Sequence, residues 1–156
     1  MVAEPPRQPP EKVERPRDRF GRPLAAGSAN RLDLPNFDVL SIEENHRLGV
    51  QFFNDAVFFG AHEAWETAWR EARGTSDEEF FKALAQLGAG YTHYQRNNPH
   101  GARALLGRAA ARLVEYAPSH FGLDVRALLR ALEADLARLG AREREDGVPP
   151  LEPPQL

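Results

Sequence analysis

The sequence predicts an all-α protein, a compact bundle or array of about five helices over residues 37–146 with disordered Pro-rich ends. Three observations carry that prediction. Of the thirteen prolines, seven lie in residues 1–36 and four in residues 147–156, which leaves only Pro99 and Pro118 between. A proline inside a helix or a ladder removes a hydrogen bond, so regular structure belongs to the middle of the chain. The apolar residues of that middle recur at i, i+3, i+4 spacing, and nothing alternates as a strand does. Capping residues and breakers fall between the apolar stripes, at intervals of about one helix. A segment of this size buries one core without staples.

Each helix has its own signals. Ser41 followed by Glu44 is a capping box that opens the first helix, carrying Leu48, Phe52 and Phe53 to about Asn54. Asn54-Asp55 breaks it. Phe58, Ala61, Trp65, Ala68 and Trp69 then mark a second helix, with Gly74 as its C-cap. Ser76 and Glu79 read as another capping box, before the stripe Phe80, Leu84, Leu87, Tyr91 and Tyr94 of the third helix. Asn98-Pro99 reads as N-cap and first residue of the fourth, whose stripe Ala102, Leu105, Leu106, Ala109, Leu113 and Tyr116 ends before Pro118. Asp124 can cap a fifth helix, where Val125, Leu128, Leu129, Leu132, Leu136 and Leu139 repeat most regularly.

Residues 1–36 form a Pro-rich arm whose first nineteen residues offer almost nothing apolar to bury, so disorder is expected there. From Phe20 to Leu40 scattered apolar residues allow the arm to drape over the domain. The tail, residues 147–156, reads as a second disordered end.

The net charge is −3, and residues 37–146 hold more Asp and Glu than Lys and Arg. That excludes nucleic acid as the main partner, since such binders carry a basic patch or stripe. No apolar run approaches a membrane span, and residues 1–10 lack the apolar core of a secretory signal, so a soluble, cytoplasmic protein without membrane partners is expected. The chain has no cysteine. Disulfides, thiolate catalysis, iron–sulfur clusters and Cys-ligated zinc are thereby excluded, and any metal must use His, Asp or Glu.

One anomaly points to chemistry. On a helical wheel His62 falls inside the apolar stripe, between Phe58 and Trp69, and Glu66 sits about 40° further round. Residues four apart share a helix face and can converge on one ion. The string His62-Glu63-Ala64-Trp65-Glu66 has the layout of a zinc-peptidase helix, with glutamate as second ligand and Glu63 where the general base stands. On the third helix Gln86 and His93 lie among Ala83, Ala89 and Gly90 on a small, polar face, which makes that helix central and buried on both sides. Gln86 and His93 are separated by about 10 Å of axial rise, so only one can join His62 and Glu66, and His93 is the better ligand.

The run Phe53-Asn54, Phe58-Phe59, Ala61-His62-Glu63, Glu66 and Trp69, then Leu84-Ala85-Gln86, His93, Asn97 and Gly101-Ala102, resembles a bacterial and archaeal family, domain of unknown function 309. Its defining motif HxxxExx(W/Y) is here His62, Glu66 and Trp69. The resemblance covers roughly residues 43–115, outside which lie the arm, the fifth helix and the tail. It implies a small all-α fold, metal binding and a metal-dependent hydrolase that is suspected rather than established. The family pattern has Glu where Gly60 stands, which bears on the helix start.

Four readings of His62, Glu66 and His93 remain open: a polar network that fixes helix packing, a divalent metal site, a metal-free small-ligand pocket closed by Trp65 or Trp69, and residues that never meet. His46, among Glu43, Glu44 and Arg47, reads as solvated surface, His100 as a first-turn residue, and His120 as a loop residue. As an enzyme, the protein would hold zinc or manganese on His62, Glu66 and His93, with an open water position and Glu63 as base. Asn54, Trp65, Trp69 and Gln86 would line the pocket. As a non-enzymatic interaction module, the same motif would fix the fold. The partner is a small molecule in the first case and a protein segment in the second.

Overall fold

The computed structural model describes residues 16–142 and 150–156. Five helices follow one another, α1 (Ile42–Asn54), α2 (Phe58–Glu71), α3 (Glu78–Gln95), α4 (Pro99–Leu113) and α5 (Val125–Arg142), and the fold is all-α. The Ser41 hydroxyl accepts from the Glu44 amide and the Glu44 carboxylate accepts from the Ser41 amide, both at 3.1 Å, so the capping box opens α1. Ala56, at φ +58°, turns the chain into α2. Asn98 accepts from the Gly101 amide at 3.0 Å with Pro99 in the first turn of α4. Asp124 accepts from the Ala127 amide at 2.9 Å and caps α5.

Two helix ends differ from expectation. α2 stops at Glu71 with Ala72 as C-cap, and Gly74, at φ +78°, shapes the turn beyond. α3 begins at Glu78 rather than behind a Ser76 capping box, with Asp77 as its N-cap residue. Asp77 makes no side-chain cap because its carboxylate is engaged with His120 Nε2 at 2.7 Å. His120 sits in a short antiparallel pair that the sequence did not signal, β1 (Ser119–His120) with β2 (Leu123–Asp124). Phe121 and Gly122, both at positive φ, make its turn. Two residues per strand are too few for an alternating pattern to show.

α3 packs on α2 and on α4, as expected of a central helix buried on both sides. Ala83, Leu84, Leu87 and Tyr91 are fully buried. A Cβ on Gly90 would lie 2.7 Å from the Leu106 side chain of α4, and one on Gly88 would lie 2.8 Å from the His62 backbone nitrogen of α2. The aromatic core is completed by Phe53, Phe58, Trp65, Phe80 and Phe81.

The described parts of both ends touch the bundle. In the arm, Leu32 and Phe37 are buried, and the Arg96 guanidinium donates to the Phe20 carbonyl from Nε at 3.1 Å and Nη2 at 2.9 Å. Gly21 lies against the Phe59 ring, with φ +78°. The disorder expected of residues 1–15 falls outside the described residues. In the tail, residues 150–156 are seated on the bundle. Prolines there bar helix and ladder, but side chains of the bundle satisfy the extended backbone: the Leu151 amide donates to the Tyr94 hydroxyl and the Glu152 amide to Asp135. Leu151 is buried. No described helix is long and apolar enough to cross a membrane.

Candidate metal centre

The close approach of α3 to α2 at Gly88 sets the site. It brings the Ala85 carbonyl within 2.9 Å of His62 Nδ1, where the ring N–H donates to it. Nε2 is thereby turned the other way, 3.2 Å from Glu66 Oε2. Glu63 completes the arrangement, because His62, Glu63 and Glu66 each offer a ligand atom and these atoms all lie within 4.8 Å of one another. All three side chains are half-buried. The wheel places Glu63 about 100° from His62, but its carboxylate still reaches the same spot.

The charges of the trio are coupled. Burial is the largest influence on His62 and disfavours its cation, yet the Glu66 hydrogen bond, the Ala85 carbonyl and the charges of Glu66 and Glu63 outweigh it, so its pKa is raised. The Glu66 carboxyl is held down, first by its hydrogen bond to His62. Glu63 is pushed up by burial, against the pull of His62, Arg17 and Arg70. Arg17 belongs to the docked arm, with its guanidinium 5.0 Å from the centroid of the Phe59 ring.

The donor group closes without His93. That residue stands five positions along α3 from Gly88, about 7.5 Å of axial rise beyond the closest approach. Its Nδ1 accepts from Asn98 Nδ2 at 3.0 Å, because Asn98 Oδ1 is already taken by the Gly101 amide. Burial, then Arg96 and His62, lower its pKa.

Of the expected pocket residues, Trp65 and Asn54 are engaged elsewhere. Trp65 is fully buried in the core and its indole N–H donates to His46 Nδ1 at 3.1 Å. Trp69 and Gln86 are half-buried, and Trp69 Nε1 and Gln86 Oε1 are enclosed without a partner. The Lys82 ammonium lies 5.3 Å from the centroid of the Trp69 ring. Asn54 faces the tail, pairing with the backbone of Leu156.

His46, expected at the surface, is 8 % exposed. Its Nε2–H donates to the Phe121 carbonyl at 3.0 Å while Nδ1 accepts from Trp65, which is the neutral tautomer. Its neighbours Glu43, Glu44 and Arg47 are exposed, so the polar stretch concealed an inward-facing ring. Asp135 was missed altogether. Fully buried on α5, it accepts from the Tyr91 hydroxyl at 2.6 Å and from Arg138 at 2.6 Å. Its place between Leu132 and Leu139 in the apolar stripe is the same signal that singled out His62.

Fold and site together define a small all-α domain with a His/Glu group on one helix that could hold a metal ion. Residues 46–105 match the family model described as Domain of unknown function (DUF309), so that span is similar to this family. The span runs from α1 into α4 and contains His62, Glu63, Glu66 and His93. No curated protein and no solved structure matches the chain.

Proposed function

We propose that the domain binds a divalent cation, zinc or manganese, through His62 Nε2 and the carboxylates of Glu63 and Glu66. The observation that carries this reading is the bond from His62 Nδ1–H to the Ala85 carbonyl. It fixes the tautomer in which Nε2 keeps a lone pair, and a backbone carbonyl behind the ring is the usual support of a ligating histidine. That lone pair faces two carboxylates, a nitrogen-and-oxygen donor set suited to either metal. Three protein ligands leave a position for water, the arrangement on which a metal-dependent hydrolase would rest. Glu63 is then a ligand, not the base, and His93 stands outside the donor set.

A second reading has its own support. Without metal, a protonated His62 donates to both Ala85 and Glu66, and the opposed shifts of His62 and Glu66 favour the ion pair. The motif would then be a packing clamp in an interaction module. Metal analysis and titration calorimetry at controlled pH separate the two. The metal reading expects one equivalent of zinc or manganese, lost in His62→Ala and Glu66→Gln and weakened as falling pH protonates the ring. Wild-type protein that stays metal-free after dialysis against zinc at about 10 µM, tight enough for any resident site, overturns it and leaves the clamp.

A further inference from the structure

The seat of the C-terminal tail is built in a way that the packing of a loose end does not require. Asp135 contributes a carboxylate with no exposed surface, and its Oδ1 accepts the Glu152 amide at 3.0 Å. The Tyr94 hydroxyl accepts the Leu151 amide at 3.1 Å. At the other end Asn54 reads a whole peptide unit's worth of polar groups, accepting the Leu156 amide on Oδ1 at 2.8 Å and donating from Nδ2 to the Leu156 carbonyl at 3.1 Å. These bonds go to backbone, so they set register and direction without regard to side chain. Side-chain selectivity comes first from the two leucines, beside which the exposed Glu152 carboxylate accepts from Arg138 at 3.4 Å and the Gln155 amide donates to the Asn54 carbonyl at 3.5 Å. Leu151 is 7 % exposed within the core cluster, and Leu156 packs against the same cluster. Pro153 and Pro154 between them fix φ and favour an extended Glu152, so little chain entropy is lost on docking.

We propose that the groove bounded by the end of α1, α3 and α5 is a recognition site for extended Leu-x-Pro-Pro-x-Leu segments, and that residues 151–156 are its resident, displaceable ligand. Nothing in the contacts depends on the tail's belonging to the same chain. A segment of that chemistry on a partner protein would meet the same three side chains and the same two apolar seats. The resident copy is covalently part of the chain, so its effective concentration of about millimolar masks the groove until a stronger or more abundant segment competes. The site lies on the tail, α5 and the ends of α1 and α3, apart from the His62 centre, and is independent of any metal.

The test uses the full chain and a fluorescent peptide with the sequence of residues 150–156. In Leu151→Asp the resident segment loses its apolar anchor, and the chain is expected to bind the peptide at least about tenfold more tightly than wild type. Adding Asn54→Ala should remove that gain, and a peptide with Asp in place of its first leucine should not bind. A folded Leu151→Asp chain that takes up no more peptide than wild type overturns the proposal. Should that variant lose its cooperative melt, isotope-labelled wild type decides. The amides of Leu151, Glu152 and Leu156 should exchange more slowly than in the free peptide, and unlabelled peptide at about 10 mM, above the tether's effective concentration, should speed them. Amides that exchange at the free-peptide rate, or that ignore the competitor, overturn it equally.

Discussion

His46 and His62 are the same residue type one helix apart, and their surroundings push their protonation in opposite directions. His46 lies among the rings of Trp65, Phe80, Phe81 and Phe121, one nitrogen donating and the other accepting. Burial lowers its pKa, and a proton on Nδ1 would break the Trp65 bond. His62 is also largely enclosed, but both of its nitrogens face oxygen, the Ala85 carbonyl and the Glu66 carboxylate. Its pKa is raised despite burial. Burial alone therefore does not decide the charge of a histidine; the sign of its partners does.

The largest expected break of this contrast is His46→Ala. It leaves the Trp65 indole N–H and the Phe121 carbonyl unpartnered beside a cavity, and should cost about 2–4 kcal/mol in chemical denaturation. Gly88→Ala comes next, at about 1–3 kcal/mol, because the new methyl meets the His62 backbone rather than a yielding side chain. It should also weaken any metal uptake by moving His62 off Ala85. His62→Ala should cost only about 1 kcal/mol, since the ring is partly exposed and its removal frees one carbonyl.

The pH dependence sharpens the contrast further, because the two linkages have opposite sign. His46 stays neutral in the fold, so its contribution is complete above the ordinary 6.5 and is lost as pH falls below it. His62 gains a proton in the fold, so in metal-free protein its contribution is complete below 6.5 and is lost as pH rises through its raised value. Melts at about pH 5.5 and about pH 8 should show the wild-type advantage over His46→Ala widening with pH and that over His62→Ala narrowing. Parallel trends would mean that the two linkages do not have opposite sign. The smallest effect is expected from His93→Ala, within about 1 kcal/mol and with metal binding intact, as checked by denaturation and metal titration.

Much of the frame was legible because helices are local. The capping box at Ser41, Asn98-Pro99 and the apolar stripes each lie within one helix, and each landed within a residue or two. The pairing of His62 with Glu66 was legible for the same reason. Glu63 was harder, since a wheel reports the direction of a Cβ and not the reach of two further methylenes. His46 and the tail were not legible at all. The partners of His46 come from Trp65 and Phe121, and those of the tail from Asn54, Tyr94 and Asp135, none of which has a fixed spacing in sequence. The closest approach of α3 to α2, at Gly88 and Ala85, has no sequence signal of its own that would set it apart from the turn carrying His93.

The glycine contact between α2 and α3 has a mechanical meaning. Two helices that touch backbone to backbone are held at a fixed gap, but a glycine gives the joint no tooth to stop one from sliding along the other. At Gly88 the stop is supplied by the His62 ring, which crosses the gap and hooks the Ala85 carbonyl. The imidazole is thus a locating pin, and whatever holds its far nitrogen also sets how firmly the two helices are indexed against each other.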